Sequence, residues 1–399
     1  MQRATRLAGA LVLASMAELA GAGEHAAPVE LATLTAVRRP HPAELEAEAR
    51  LAAGRRSLAR SAGALLGGPV LSVAAGPRRI EAGETRADVA VGVMLPILAA
   101  RPEQRALAAA LASAEPLLLA AAGTEAELAL AAAYSELWRL DALAELRTEG
   151  LAIVARWLAA TRRRVEEGAD PAYEATLVAG ERDRAALELE RTLAGLAAAR
   201  EALAALAPLP EGELRLVPPT EPPVCTSGVG DSALEGAARA RAELAIAEAG
   251  LATRAENARW ALASDLAREG DEDVARLGLA YRFAPRGEKG ALDELHAAAV
   301  AAERRASELE LSRLAARRQA ARARLAASSA RSGDDELAAG LAALEARLRE
   351  GRSRPSEALP LRRQLLAARE AAIDARAERA LAAAELAAFC PPSSSGVEP

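Results

Sequence analysis

The side chains that most often do chemistry are few in this chain and widely spaced. Its three histidines, His25, His41 and His296, lie in separate stretches without the close spacing that puts two imidazoles on one metal ion. Its two cysteines, Cys225 and Cys390, are too far apart for a C-x-x-C motif or a zinc knuckle. The "GEKG" at Gly287–Gly290 lacks the spacing of a phosphate loop and reads as a strand-to-helix turn. Met1, Met16 and Met94 form no copper-binding cluster, and no nucleophile stands beside a recognisable base. These observations point away from an enzyme, and they give no reason to expect a cofactor or a bound metal.

Two related stretches hold the residues of most interest. "VEEGADPAYEATLVAGE" starts at Val165 and "LREGRSRPSEALPLRRQ" at Leu348. Each has a charged helical run, a Glu-Gly step, a short polar stretch with proline (Pro171, Pro355) and a second charged run. A helix that ends in a hairpin commonly needs a left-handed residue, so Gly168 and Gly351 are expected to shape the turns. Glu166, Glu167 and Asp170 in the first turn and Glu350 in the second are candidate gate residues. Repeated around a symmetric pore, carboxylates form rings that select cations; standing alone, they are solvated charges at helix ends. The turns differ in charge, since the first carries Asp170 where the second carries Arg352 and Arg354.

The elements that must position these turns are long helices. The chain is 51% hydrophobic but only 2% aromatic, with Ala and Leu beside Arg and Glu. Leu137, Ala144, Leu151 and Leu158 recur every seven residues, with Leu140 and Val154 on the neighbouring seam. Leu189, Leu196 and Leu203, with Leu193 between them, do the same after the first turn. Leu311, Leu314, Ala321 and Leu325 keep the three-and-four spacing before the second. Pro116 and Gly123 fall inside the first long helix, where Pro116 should kink or break it, and "SSARSGDDE" interrupts the second.

Each helical region is preceded by a strand pair. Val89, Val91, Val93 and Leu95 alternate with small residues after an earlier strand near Val70–Ala75. Leu277, Leu279, Tyr281 and Phe283 alternate in the same way in the second half, and Pro96 and Pro285 close the two pairs. The expected fold is therefore mainly α with a small β part, in two tandem repeats of helix, strand, strand, long helix, turn and helix. The first repeat is read as residues 42–207, with strands near 68–75 and 87–96 and a tip at 166–173. The second spans 233–389, with strands near 259–268 and 273–284 and a tip at 350–357.

The remaining segments are read from composition. Arg3 and Arg6, an apolar run from Leu7 to Ala17 and the small residues around Ala20 and Ala22 predict a signal peptide over 1–22. An extended segment, 23–41, follows it. No later apolar stretch approaches the length of a membrane helix, so entry into a membrane would have to be by strands. A Pro-rich linker, 208–232, joins the repeats, and a tail, 390–399, ends the chain. In an exported protein, Cys225 and Cys390 are either a disulfide or two free thiols. The net charge of −6, from 50 basic and 56 acidic residues interspersed along the chain, gives no nucleic-acid footprint.

In this order and duplication, the motifs resemble the TolC-like outer-membrane efflux proteins, especially the heavy-metal and small-molecule branch. "HPAELEAEARLAAGRRSLARSAGALLGGPVLSV" is similar to that family's first helix and strand, with His41-Pro42 where the family usually has Asn-Pro. "VGVMLPI" and "LGLAYRFAPRGEKG" resemble its strand ends, and the two Gly-Pro turns resemble its periplasmic hairpin tips. The resemblance implies a homotrimer in the outer membrane, with four strands per chain closing a twelve-stranded barrel on a long periplasmic helical tube. It also implies a periplasmic adaptor contacting the tips at Gly168, Pro171, Gly351 and Pro355, and an inner-membrane pump. From Pro96 to Gly168 is about 70 residues, which as helix spans about 100 Å. The competing readings are a soluble periplasmic coiled-coil scaffold or adaptor subunit, and a degenerate family member that no longer conducts.

Overall fold

The computed structural model describes residues 28–63, 70–79, 85–96, 101–210, 214–222, 232–256, 260–269, 272–281, 288–329, 334–350 and 352–390. The expected signal peptide and the tail after Cys390 lie outside these residues. The described elements run β1 (Pro28–Val29), α1 (Leu31–Ala36), α2 (Pro42–Gly63), β2 (Val70–Arg79), β3 (Thr85–Pro96), α3 (Arg101–Glu166) and α4 (Ala172–Leu206). They continue through β4 (Arg215–Leu216), α5 (Ala233–Glu256), β5 (Trp260–Glu269), β6 (Glu272–Tyr281), α6 (Glu288–Ser329), α7 (Asp334–Arg349) and α8 (Pro355–Ala387). Contacts divide them into two compact units, one of Met1–Arg39, Glu127–Pro222 and Arg324–Ala384, the other of Pro40–Ala126, Pro223–Ala323 and Glu385–Pro399. Each unit takes sequence from both halves of the chain, because helices from the two halves pack side by side.

The unit that begins at Pro40 holds the main sheet, whose order is β2-β3-β5-β6 with every pairing antiparallel. The strands of the two halves join where β3 pairs with β5, Val91 opposite Leu266 and Leu95 opposite Leu262. Pairing between β2 and β3 continues to Arg79 opposite Thr85, so β2 runs through Pro77 instead of stopping near Ala75. β6 ends at Tyr281, and Phe283 and Pro285 lie outside the described residues.

The helices of this unit pack through Leu107, Leu111, Ala114, Leu118 and Ala121 of α3, a four-three-four-three spacing that forms one seam. Opposite it lie Leu51 of α2, Leu234, Leu244 and Leu251 of α5, and Phe389. Gly54 of α2 permits this approach, since a Cβ there would sit 2.7 Å from Leu111 Cδ2. Both leading helices start with reciprocal caps. The Ser232 N–H donates to Glu235 Oε2 at 3.2 Å, and the Glu235 N–H donates back to Ser232 Oγ at 3.2 Å. At α2 the His41 N–H donates to Glu44 Oε2 at 3.0 Å, and His41 Nδ1 accepts from the Ala43 N–H at 3.3 Å.

Helix α3 corrects two expectations. It continues through Pro116 without a break over 66 residues. Pro116 and Ala112 both lie on the exposed side, so the Ala112 carbonyl that loses its partner faces water, and the cost of the missing bond is small. The helix also contains an 18-residue window of mean hydropathy 1.6, apolar and long enough by composition to cross a membrane. Ala and Leu around isolated glutamates keep the mean high where no uncharged run is that long. The break expected at "SSARSGDDE" falls between α6 and α7.

The other unit has two cores. In the first, Leu130, Tyr134 and Leu137 of α3 pack with Ala199 and Leu203 of α4 and with Val29 and Leu34. There β1 and β4 form a short parallel pair, Val29 opposite Leu216, and the buried Tyr134 hydroxyl lies 2.8 Å from the Val29 carbonyl and 2.7 Å from that of Val217. One O–H proton serves two acceptors, and burial pushes the phenol up to about 12. The second core joins Val154, Trp157 and Leu158 of α3, Val178 of α4, Leu344 of α7 and Ala358 and Leu359 of α8. Of the expected seam residues, Leu137, Ala144, Val154, Leu158, Leu203 and Ala321 are buried, whereas Leu193 is 48% exposed, being one position out of phase with buried Thr192.

Candidate functional site: the two hairpin turns

The first turn is closed by its own backbone. Gly168 has φ +72°, its N–H donates to the Val165 carbonyl at 3.0 Å, and the Ala169 N–H donates to the Arg164 carbonyl at 2.7 Å. This is a Schellman motif, in which only glycine adopts the left-handed position without a Cβ penalty. Pro171 is the N-cap of α4, with extended backbone. The second turn repeats the longer bond, from the Arg352 N–H to the Arg347 carbonyl at 2.9 Å. Gly351 lies outside the described residues. Pro355 is buried at the first position of α8, where its missing N–H removes no helical bond.

The candidate gate carboxylates have different surroundings. Glu166 and Glu167 are exposed. Asp170 is 7% exposed, and its Oδ1 accepts from Arg164 Nη2 at 3.0 Å while Oδ2 lies 2.9 Å from Arg164 Nε. It is therefore held inside its own hairpin by an ion pair that carries one hydrogen bond, to Oδ1. Glu350 is exposed and lies 3.1 Å from Arg352, an exposed pairing. Cys390 is disulfide-bonded, and the expected partner Cys225 lies outside the described residues.

The structure adds residues that join the hairpins. Glu174, fully buried, accepts from the Ser356 N–H at 2.9 Å and from Ser356 Oγ at 2.7 Å. A carboxylate from α4 thus caps the N-terminus of α8, where the helix dipole and orphan N–H groups favour an anion. One turn pair further on, Glu181 accepts from Arg362 Nη1 at 3.3 Å and from Arg363 Nε at 2.9 Å. Arg362 is 3% exposed and also donates to the Gly150 carbonyl at 2.8 Å; burial pulls its guanidinium pKa down, against the opposing pull of Glu181. The near-constant offsets of 174 to 356 and 181 to 363 show that α4 and α8 run parallel.

Helix α3 runs antiparallel to α8 and is held to it by Arg139–Asp374 at 3.1 Å and Arg147–Glu370 at 2.9 Å. Arg156 of α3 reaches Glu345 of α7 at 2.9 Å. The joining residues had a sequence signal that the turns overshadowed. Glu174, Glu181 and Glu188 recur every seven residues on α4, as Arg362, Arg369 and Arg376 do on α8.

No family model and no curated protein matches the chain. Solved structures do. The outer membrane protein VceC from Vibrio cholerae aligns at TM-score 0.60 and 18% identity, covering 87% of this chain and 92% of that one. The CmeC outer membrane channel of Campylobacter jejuni aligns at 0.61 and 12%, covering 87% and 82%. The open state of the Neisseria gonorrhoeae MtrE outer membrane channel aligns at 0.56 and 16%, covering 90% and 87%. The chain has the fold of these outer membrane channels, the TolC-like architecture that its sequence resembles.

Proposed function

We propose that the protein is a passive outer-membrane exit duct of a tripartite efflux system, conducting small molecules or metal ions delivered by an adaptor and an inner-membrane pump. The observation that carries this reading is the four-stranded antiparallel sheet, in which β2 and β6 each have a neighbour on one side only among the described residues. In a hydrocarbon environment such edges must be paired, and β6 of one copy against β2 of the next closes three copies into twelve strands. The order helix, strand, strand, long helix, returning helix occurs twice, which supports the tandem repeat and two hairpins per chain.

A surface suited to a second copy lies on α4. Tyr173, Leu177 and Leu187 are 55%, 46% and 47% exposed and are linked in steps of three and four through Gly180 and Arg184. The gate is assigned to Glu166, Glu167 and Glu350, with Asp170 joining a ring only when Arg164 releases it. Gly168, Pro171, Gly351 and Pro355 shape the adaptor contact, and Cys225 is proposed as the partner of Cys390.

Cell fractionation followed by mass measurement in detergent tests the reading. A trimer in the outer membrane supports it. A soluble periplasmic monomer would replace it with the scaffold reading.

A further inference from the structure

The helices that lead into and out of the sheet leave two seams uncovered. On α6, Leu295, Ala298, Ala302, Arg305 and Leu309 are exposed and follow one another in steps of three and four. On α2, Leu45, Ala49, Ala52, Arg56 and Ala59 do the same. Leu295, Leu309 and Leu45 are 66%, 58% and 55% exposed. Leucines spaced among alanines on such a seam suit a close contact with another helix. Each helix already has its partners within the chain on another side. α2 packs on α3 and α5 through Leu51 and Gly54, and Arg55 is paired with Glu115 of α3. α6 is held to α5 by Arg241–Glu310 at 2.6 Å and to α3 by Arg317–Glu125 at 2.8 Å.

The exposed charges beside the two seams are ordered along the helices. α2 carries Glu48 near its start and Arg55 and Arg56 further on, while Glu46 and Arg50 line a cavity of about 350 Å³ together with Arg241 and Glu310. α6 starts with exposed Asp293 and Glu294 and continues to exposed Arg304 and Arg305. Its Glu310 is taken by Arg241, and half-buried Glu303 lies seven residues earlier on the same side. α2 leads into β2 and α6 leaves β6, and these strands run in opposite directions within the sheet. Side by side, the helices are therefore antiparallel. That orientation brings the acidic start of α6 to Arg55 and Arg56 of α2, and Arg304 and Arg305 to Glu48. The spacings agree, with eight residues from Glu48 to Arg56 and ten from Glu294 to Arg304, about two to three turns of each helix. A parallel approach would instead set acid against acid and base against base.

We propose that α6 of one copy packs antiparallel against α2 of a second copy, with Leu295 against Ala52, Leu45 against Ala302 and opposite charges meeting at both ends. Glu308 then falls opposite the His41–Pro42 start of α2. The two faces belong to different helices of the same chain, so the contact is head-to-tail and builds a ring when it closes. The inference rests on the duct reading for the join between β6 and β2 of neighbouring copies, which the helix contact continues below the sheet.

The test is cross-linking of the full-length protein in detergent, with its oligomeric mass measured in parallel. Glu48→Cys combined with Arg305→Cys, treated with a short bis-maleimide, should give covalent dimers and trimers on a denaturing gel, and either substitution alone should give monomer. All the substituted positions are exposed, so the core is left intact. Glu48→Arg and Arg305→Glu should each lower the temperature at which the oligomer dissociates, and the two together should restore it. An oligomer by mass that yields no covalent ladder, or single-variant losses that the combination does not restore, would overturn this contact and leave the duct reading standing. A monomer by mass would overturn both.

Discussion

The two hairpin turns share a backbone plan and differ in what holds them. The first is self-sufficient: Gly168 closes the Schellman bonds, and Arg164 holds Asp170 within the same seven residues. The second displays its ions to solvent, Glu350 and Arg352 being 51% and 75% exposed at the side chain, and borrows its buried contacts from the first. Ser356 is held by Glu174, and Arg362 by Glu181. The repeated motif is thus asymmetric: one turn is closed by its own residues, and the other takes buried contacts from Glu174 and Glu181 of α4.

Removing the shared carboxylate should break this relation most severely. Glu181→Ala leaves Arg362 buried without its counter-ion and is expected to cost about 3–5 kcal/mol, measured by denaturant unfolding in detergent. Glu174→Ala removes two hydrogen bonds and the cap of α8, for about 1–3 kcal/mol. Its sharper readout is limited proteolysis, which should move to residues 350–354 while the first turn stays protected. Equal cleavage at both turns would contradict the asymmetry. Gly168→Ala forces a Cβ into φ +72° and should cost about 1 kcal/mol, localised to the first turn, with nothing nearby for the methyl to strike. Arg352→Ala should change stability by less than about 0.5 kcal/mol, because its ion pair lies at the surface.

Much of this arrangement could be read from the sequence, and the missing parts have identifiable causes. The Glu-Gly-Pro spacing located both turns, and the seven-residue spacing of Leu137, Ala144 and Leu158 located a buried seam, because both signals are periodic and local. The continuity of α3 through Pro116 was not legible, since it depends on which side of the helix faces water. The burial of Asp170 depends on Arg164, six residues earlier, folding back across the turn, and identical residue types in a looser turn would leave it exposed. Glu174 and Glu181 were hidden for another reason. Their partners lie about 180 residues away, and only the heptad spacing of acid on α4 and base on α8 hints at the pairing. The two compact units were not legible from repeats at all, because packing between the halves overrides their order along the chain.

Single-channel recording of the purified protein in planar bilayers tests most directly the proposal that this is a duct whose second hairpin is held by the first. Wild type should conduct weakly, Arg352→Ala should match it, and Glu174→Ala should open more often or to a larger conductance at equal protein incorporation. Equal conductance in Glu174→Ala and wild type, or no conductance in any of the three, would contradict the account.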